Sequence, residues 1–452
     1  MNKDYILNHV SDLDAQQLAD AILAGTVTLQ ELKDTDELDV SKRRKITGIL
    51  SAGEQEVDNA WEQLDKEDKA ALESFINNPK YAKYKRQAEE ILAALIRREE
   101  NYVDEHRKIL DRIKMNPNTY SPAEILNFLS SGMLAKSELT NYCGIPSSAI
   151  DNLNNIEVVN LDLGNTPESI PEGYTEVYFW GGPGSGKTCA LGAVLQMAEF
   201  NGCLTIAPGS GCKYATQLKN IFTHDNLAND YLPAPSPVDT TQYLPFTLKL
   251  PNEKKTRSVS LIELSGEIFK CFLLKNANEP LPSRSHEETF NSLNTFLKSK
   301  NRKLHFFFID AGRDNRRDAF GFTQGDYLQA AAVYFNSNKL FDKTTDAIYI
   351  VLTKSDLLVD ENGNHVPADL RIQYAKSYLK NQRYSAFINA LKTICIDNSI
   401  NGGKLTVEPF TLGKVYFQQI CNFDGQSAAH IVDILLDRIP GTRKSILDIF
   451  NG

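Results

Sequence analysis

A short glycine-rich run is the stretch of this sequence with the most definite chemistry. Residues 181–188 read Gly-Gly-Pro-Gly-Ser-Gly-Lys-Thr, the G-x-x-x-x-G-K-T pattern of a phosphate-binding P-loop. Glycines let backbone N–H groups converge on phosphate oxygens. Lys187 is expected to reach the β- and γ-phosphates of a nucleotide, and the Thr188 hydroxyl is expected to bind Mg²⁺. The residues predicted to contact a nucleotide here are Gly181, Gly182, Pro183, Gly184, Ser185, Gly186, Lys187, Thr188 and Cys189.

The residues on either side supply the elements that a P-loop needs. An apolar run over 177–180 predicts a strand that leads into the loop. Apolar residues at helical spacing over 189–200 predict a helix that follows it. The positive end of that helix would face the bound phosphates.

The composition is that of a globular chain and argues against some partners. Of the 452 residues, 42% are hydrophobic and 24% are charged, and this length favours two or three domains. The net charge of -9 argues against a general nucleic-acid-binding surface. We therefore expect no nucleic-acid partner.

The cysteines and the apolar runs indicate a cytoplasmic protein. The seven cysteines are scattered without a C-x-x-C pair, which suits free thiols in a reducing cytosol better than disulfides or a zinc site. The first residues lack the apolar segment of a secretory signal. No apolar run approaches the roughly 20 residues that span a membrane.

The first third of the chain is predicted to be helical. Apolar spacing is helical over residues 1–150, and a weak internal repeat aligns 18–32 with 125–139. This region is either a docking domain for a partner protein or a helical domain that only packs on its neighbour. Residues 151–173 are rich in Asn, Gly and Pro and are predicted to be a linker. The second domain is predicted over 174–452.

Further motifs follow the P-loop in a definite order. A threonine pair, Thr240 and Thr241, precedes two strand-like runs that predict an antiparallel hairpin over 242–262. An acid-x-x-Gly motif, Glu263 to Gly266, comes directly after the hairpin. The remaining motifs each end an apolar run: Asp310, then Thr353-Lys354-Ser355-Asp356, then Thr411-Leu412-Gly413.

This order of motifs resembles the Ras-like, or TRAFAC, class of P-loop GTPases over roughly residues 174–440. It is most similar to bacterial GTPase domains of conflict or defence systems. The resemblance implies an α/β P-loop NTPase fold, a three-layer sandwich with a mostly parallel sheet and one antiparallel hairpin, preceded here by the all-α region. It also implies binding of GTP and GDP with Mg²⁺.

The resemblance assigns roles around the γ-phosphate. Thr240 or Thr241 would complete the Mg²⁺ shell, and Glu263 would hold a metal-bound water. The N–H of Gly266 would contact the γ-phosphate. Glu267 lies where many members carry a water-orienting glutamine, so the catalytic candidates are Lys187, Thr241 and Glu267. This chain departs from the family in having glutamate at 263 instead of aspartate.

The resemblance also assigns the base-binding residues. The Asp356 carboxylate would accept the two N–H groups of guanine, which adenine cannot offer, and the Lys354 stem would cover the base. Thr353 replaces the usual asparagine of this motif. Thr411 and Leu412 resemble the last, loosest base-contacting loop.

Two alternatives to a GTP-hydrolysing switch stay open at this stage. Asp310 also ends an apolar strand, and as the metal-side acid it would make the domain a P-loop ATPase. The departures at Glu263 and Glu267 allow a scaffold whose nucleotide site is structural or inactive. The nearby Arg313, with residues 316–317, suits an arginine finger or an ordinary solvated loop.

The expected biological role is that of a slow GTPase switch. Its protein partner would bind through the helical domain and the switch regions, and a homodimer is a further possibility that the sequence leaves open. The segment 267–303 follows the third motif, where a second switch belongs.

Overall fold

The computed structural model describes residues 1–156, 161, 169–209, 211–222, 230–233, 241–313 and 316–443. These residues form two compact units, Met1–Ile109 and Leu110–Gly452. The division falls inside a long helix. Helices that were expected to belong to the N-terminal domain, between residues 110 and 151, therefore group with the sheet-containing unit.

The first unit consists of helices joined by short loops. A small core forms around Leu18, Leu32 and Ile46, and a second core forms around Leu72 and Phe75. The helices are α1 (Lys3–Asn8), α2 (Ala15–Leu23), α3 (Leu29–Lys33), α4 (Val40–Gln63), α5 (Lys69–Asn77) and α6 (Lys85–Met115), with a 3-10 helix at Pro79–Tyr84.

Three further helices open the second unit and match α2 to α4 in position. They are α7 (Pro122–Ser130), α8 (Lys136–Asn141) and α9 (Ser147–Asp151), followed by a 3-10 helix at Asn152–Asn155. Each begins 107 positions after its counterpart, as Ala15 and Pro122 illustrate. A glycine with positive φ ends the first helix of both sets, Gly25 at 69° and Gly132 at 72°. The two segments thus have the same order and spacing of helix starts, with a left-handed glycine after the first helix.

The second unit is built on a mostly parallel sheet. Its strand order is β2-β4-β5-β1-β6-β7-β8, with β11 paired to β5. β4 is antiparallel to both β2 and β5, while β5, β1, β6, β7 and β8 run parallel. A separate small sheet has the order β3-β10-β9. The strands are β1 (Thr175–Trp180), β2 (Leu204–Ile206), β3 (Asp230–Tyr231), β4 (Gln242–Leu248), β5 (Lys255–Glu263), β6 (Lys303–Asp310), β7 (Thr345–Thr353), β8 (Thr406–Pro409), β9 (Gly413–Tyr416), β10 (Ile420–Phe423) and β11 (Thr442–Arg443).

Helices cover both faces of the large sheet, because its central strands are apolar on both sides. In β1, Val177 and Phe179 enter one core, and Tyr178 and Trp180 enter the other. The first core also takes residues from α10, α11 and α17, and the second from α12 to α16. The helices of this unit are α10 (Lys187–Phe200), α11 (Cys212–Lys219), α12 (Ile268–Asn276), α13 (Arg284–Leu297), α14 (Gln324–Asn338), α15 (Arg371–Tyr378), α16 (Gln382–Asp397) and α17 (Gln426–Arg438).

The observed architecture confirms the coarse expectation of an α/β fold with a mostly parallel sheet and an N-terminal helical region. The antiparallel hairpin is present as β4 and β5. The edge strand β2 and the small second sheet were not foreseen from the sequence. In the described part of the chain, we find no helix with the length and apolar character to cross a bilayer.

Candidate functional site

The candidate site lies at the carboxyl ends of the central parallel strands. β1 lies between β5 and β6, and β7 follows β6. Parallel strands end at the same edge of a sheet, so the loops after them meet there. The P-loop connects the end of β1 to the start of α10 at Lys187. Gly186 caps this helix with a φ of 87°, a conformation that suits glycine.

Lys187 is held inside the loop that it terminates. Its side chain is buried, and its ammonium donates hydrogen bonds to the carbonyls of Gly181 at 2.7 Å and Gly182 at 3.2 Å. Burial lowers the pKa of Lys187 to about 8, although the negative charge of Glu263 opposes that shift. This cation is therefore incompletely compensated by its surroundings.

Glu263 lies across from the lysine at the end of β5. Its carboxylate accepts hydrogen bonds from the Thr188 hydroxyl and, at 2.7 Å, from the Tyr214 hydroxyl. Burial raises the pKa of Glu263, and the two hydrogen bonds and Lys187 oppose the rise. Sequence reasoning missed Tyr214, because nothing in the local sequence of α11 indicates that it approaches β5.

The oxygen atoms around Thr188 fit a magnesium ion. Mg²⁺ prefers oxygen ligands and is commonly held by one or two protein groups together with substrate phosphates and water. The Thr188 hydroxyl and the Glu263 carboxylate, already in contact, supply such a pair. Among the described residues, no group of three or more His, Cys, Asp or Glu side chains could form a cage made of protein alone.

Of the two predicted switch threonines, Thr241 belongs to the described residues and Thr240 does not. Gln242 of β4 pairs with Glu263 of β5, so Thr241 enters the sheet at the same edge as the acid. Thr241 is buried there. Thr240 lies outside the described residues, and its predicted metal contact stays a prediction.

The first residue of the Thr-Lys-x-Asp motif contacts the P-loop. Thr353 ends β7, and its hydroxyl lies 2.9 Å from the Ser185 carbonyl and 3.1 Å from the Ile309 carbonyl. A hydroxyl has one proton and donates to one of them at a time. The Ser185 Oγ is buried and has no hydrogen-bond partner among the described residues. Such an orphaned group inside a P-loop suits a site that a polar ligand completes.

The last residue of that motif is tied to the final strand-end loop. The Thr411 hydroxyl donates to the Asp356 carboxylate at 2.8 Å. The Ser355 N–H donates to the Phe410 carbonyl at 3.1 Å, which links the same two loops through the backbone. Leu412 is half-buried against the core under this loop. The structure therefore brings together the two sequence motifs that were assigned to base binding.

Asp310 has different partners from those of a metal-side acid. It is fully buried, and one carboxylate oxygen lies 2.7 Å from the Lys354 ammonium and 3.7 Å from the Arg313 guanidinium. Its other oxygen accepts the Gly312 N–H at 2.8 Å. In this structure Glu263, and not Asp310, contacts Thr188.

The acid-x-x-Gly loop packs directly on the P-loop. A Cβ built on Gly266 would lie 2.3 Å from the Pro183 nitrogen, so only glycine fits at this position. The adjacent Glu267 pairs with Lys270 at 2.6 Å, which supplies a cation beside the carboxylate.

Burial raises the pKa of the Cys189 thiol to about 12, so that this residue is protonated at neutral pH.

No protein-family model matches the chain, and the search of curated proteins returns no match.

The seven cysteines are free thiols.

Proposed function

We propose that this protein binds GTP with Mg²⁺ and hydrolyses it to GDP and phosphate as a nucleotide-dependent switch of the Ras-like class. The P-loop and the strand order around it support this reading. β5, β1, β6, β7 and β8 are parallel, and β4 joins the sheet through an antiparallel hairpin. Each proposed motif follows the carboxyl end of one of these strands or precedes the hairpin.

The observation that carries the choice of GTP is the Asp356–Thr411 hydrogen bond of 2.8 Å. It fixes a carboxylate in the loop after β7, while Thr353, the last residue of β7, contacts the P-loop carbonyl of Ser185. A carboxylate accepts both the N1 and the N2 hydrogens of guanine, and adenine has no such pair of donors. Asp356 would thereby select the base of a nucleotide whose phosphates lie in the P-loop.

The proposed reaction is an in-line attack of water on the γ-phosphorus. A bond forms from the water oxygen to phosphorus, the bond to the bridging oxygen breaks, and its electron pair stays on GDP. The water proton leaves with phosphate or solvent. Lys187 and the P-loop amides would stabilise the charge that develops on the phosphoryl oxygens. Mg²⁺, held by Thr188 with Glu263 beside it, would neutralise phosphate charge.

The proposed switch elements are the segments at Thr241 and at 263–270. Their order would depend on the γ-phosphate, and a protein partner would recognise that order. Glu267 is proposed as the residue that orients the water. The N-terminal helical region is the proposed docking module, and self-association across the nucleotides is the second possible assembly.

The test is binding of fluorescent GTP, ATP and XTP to the wild-type protein and to Asp356→Asn, with Mg²⁺ present. We expect the wild type to prefer GTP and the variant to shift toward XTP, since an asparagine amide complements the extra carbonyl of xanthine. Thr411→Ala serves as a milder variant that keeps the carboxylate but removes its hydrogen bond.

Two other outcomes would replace the proposal. Equal or tighter binding of ATP, with no effect of the Asp356 variant, would favour a P-loop ATPase that uses Glu263 as its acid. The contact of Asp310 with Lys354 and Arg313 makes Asp310 a poorer candidate for that role. An absence of nucleotide binding would favour a scaffold whose helical half is its working part.

A further inference from the structure

Arg313 approaches the P-loop from the loop that follows β6. Its guanidinium donates a hydrogen bond to the Pro183 carbonyl. A Cβ built on Gly184 would lie 3.0 Å from each of the two terminal nitrogens of Arg313. The absence of a side chain at 184 therefore gives the guanidinium its place against the P-loop backbone.

The buried carboxylate of Asp310 lies beside both Arg313 and Lys354. Asp310 lies 3.7 Å from the Arg313 Nε and 2.7 Å from the Lys354 ammonium. Two cations thus share one anion, and the group as a whole carries one excess positive charge. An uncompensated cation at the edge of a phosphate site attracts an anionic ligand.

The position of Pro183 indicates which part of a nucleotide the arginine would meet. Gly266 packs on the Pro183 backbone, and the N–H of Gly266 is the group assigned above to the γ-phosphate. Arg313 donates to the carbonyl of that same proline. Arg313 and Gly266 therefore approach the P-loop at one shared residue, on its γ-phosphate side.

Arg313 also has hydrogen-bonding capacity to spare. A guanidinium carries five N–H donors. Among the described residues, its guanidinium donates to the Pro183 carbonyl, while the Asp310 carboxylate forms an ion pair with it at 3.7 Å, too long for a hydrogen bond. Its side chain is about one-third exposed, so a ligand can reach the remaining donors.

We propose that Arg313 is a catalytic arginine supplied by this chain itself, which donates hydrogen bonds to the γ-phosphoryl oxygens during hydrolysis. This inference rests on the proposed nucleotide hydrolysis. Arg313 stays protonated throughout and forms no covalent bond. Asp310 is a positioning residue, which keeps the guanidinium at the P-loop and prevents it from extending into solvent.

The experiment compares single-turnover hydrolysis of GTP by wild type, Arg313→Ala, Arg313→Lys and Arg86→Ala, with GDP affinity measured on the same proteins. Arg86 is the matched control, because it is an exposed arginine of α6 outside the candidate site. An arginine finger contributes about 10³- to 10⁵-fold to the rate in GTPases. We expect Arg313→Ala to slow the chemical step by at least about 100-fold, with GDP affinity changed by less than about threefold.

The two other variants sharpen the assignment. Arg313→Lys keeps the charge but not the planar fork, so we expect a rate between those of wild type and the alanine variant. Arg86→Ala should hydrolyse GTP within about twofold of the wild-type rate, as a surface change outside the candidate site should. A thermal unfolding curve for each variant separates loss of catalysis from loss of fold.

Two results would overturn the inference. One is an Arg313→Ala protein that hydrolyses bound GTP at the wild-type rate. The other is an equal loss of GTP and GDP affinity with an unchanged rate at saturation, which would make Arg313 a binding residue away from the γ-phosphate. Failure of the proposed function is distinct, because there the wild type itself would not bind or hydrolyse GTP. If the wild type hydrolyses ATP, the same four proteins test the arginine with ATP.

Discussion

Two buried charge clusters lie at opposite ends of the central parallel strands of the sheet, and their hydrogen-bond partners differ. Lys187 and Glu263 lie at the carboxyl edge, while Glu176 of β1 and Lys303 of β6 lie at the amino edge. All four side chains are buried. Burial shifts the pKa values of Lys187 and Glu263 away from their charged forms, and it also lowers the pKa of Lys303 at the amino edge.

At the amino edge, neighbouring residues supply hydrogen-bond partners for both charged side chains. Glu176 accepts hydrogen bonds from the hydroxyls of Tyr178 and Ser299, each at 2.6 Å, and from the Asn301 amide at 2.9 Å. Lys303 donates three hydrogen bonds, to the Ser299 carbonyl at 2.6 Å, the Asn301 carbonyl at 2.9 Å and the Thr344 hydroxyl at 3.0 Å.

The comparison predicts that the amino-edge cluster contributes to stability and the carboxyl-edge cluster to ligand binding. Each of the two amino-edge ions makes three hydrogen bonds with groups of this chain. At the carboxyl edge, the Ser185 hydroxyl lacks a partner among the described residues, and the carboxylate is held in an environment that favours its neutral form. A phosphate group with Mg²⁺ would supply the charges that this edge lacks.

The largest expected effect is a loss of stability when one charge of the amino-edge cluster is removed. Lys303→Met removes the buried cation that lies in register with Glu176 on the neighbouring strand and interacts with its charge. It leaves the buried carboxylate uncompensated. Such a break costs about 3–5 kcal/mol of unfolding free energy, which urea denaturation measures. The double variant Glu176→Gln/Lys303→Met should recover much of the loss. A single variant as stable as wild type would show that the pair has no structural role.

The corresponding removal of a lysine at the carboxyl edge should weaken nucleotide binding and leave stability nearly unchanged. Lys187→Ala removes a charged donor to the phosphates, and such hydrogen bonds contribute about 1.5–3 kcal/mol each. We expect nucleotide affinity to fall about 10- to 100-fold, with unfolding free energy within about 1 kcal/mol of wild type. Fluorescent-nucleotide titration and urea denaturation of one preparation measure both. A loss of stability as large as that of Lys303→Met would contradict the comparison.

The lowered pKa of Lys187 predicts pH-dependent binding. With a pKa of about 8 in the empty site, the lysine loses its proton as the pH rises through 8, and phosphate binding must restore it. Affinity should fall about tenfold between pH 7 and pH 9, with proton uptake on binding. Calorimetry in buffers of different ionisation enthalpy measures that uptake. Lys187→Arg, which does not titrate in this range, should remove the dependence, and its persistence would assign it to another group.

Glu263→Gln should stabilise the empty protein. The pKa of Glu263 is raised in the fold, so the folded protein binds more protons than the unfolded chain. The stability of wild type therefore falls as the pH rises above the unfolded value of 4.5. The variant should gain about 1 kcal/mol relative to wild type at pH 7.5 and lose that advantage near pH 4.5. Denaturation curves of both proteins at both pH values test this, and a variant destabilised at pH 7.5 would refute it.

Features encoded in short stretches could be predicted from the sequence. The P-loop with its strand and helix is local, because eight consecutive residues and their flanks determine it. The hairpin is also local, since a polar turn joins two strands that pair along their length. The order of motifs placed Asp356 and Thr411 after successive strands, and the structure has them in contact.

Features that depend on distant contacts could not be predicted. Tyr214 reaches Glu263 across 49 positions of the chain, and no local pattern marks it. Arg313 reaches Pro183 across 130 positions, so the sequence left it equally compatible with a solvated loop. The division of the chain inside α6 likewise depends on contacts between distant residues. Helical periodicity indicates that a segment is helical, but not which neighbours it packs against.

The contact of Gly266 with Pro183 has a consequence for timing. A Cβ at 266 would lie 2.3 Å from the proline nitrogen, so the two backbones approach closely. If the proposed γ-phosphate binds between them, the 264–267 loop would have to move to admit it. The rate of that movement would then set how fast nucleotide enters, independently of how tightly it is finally held.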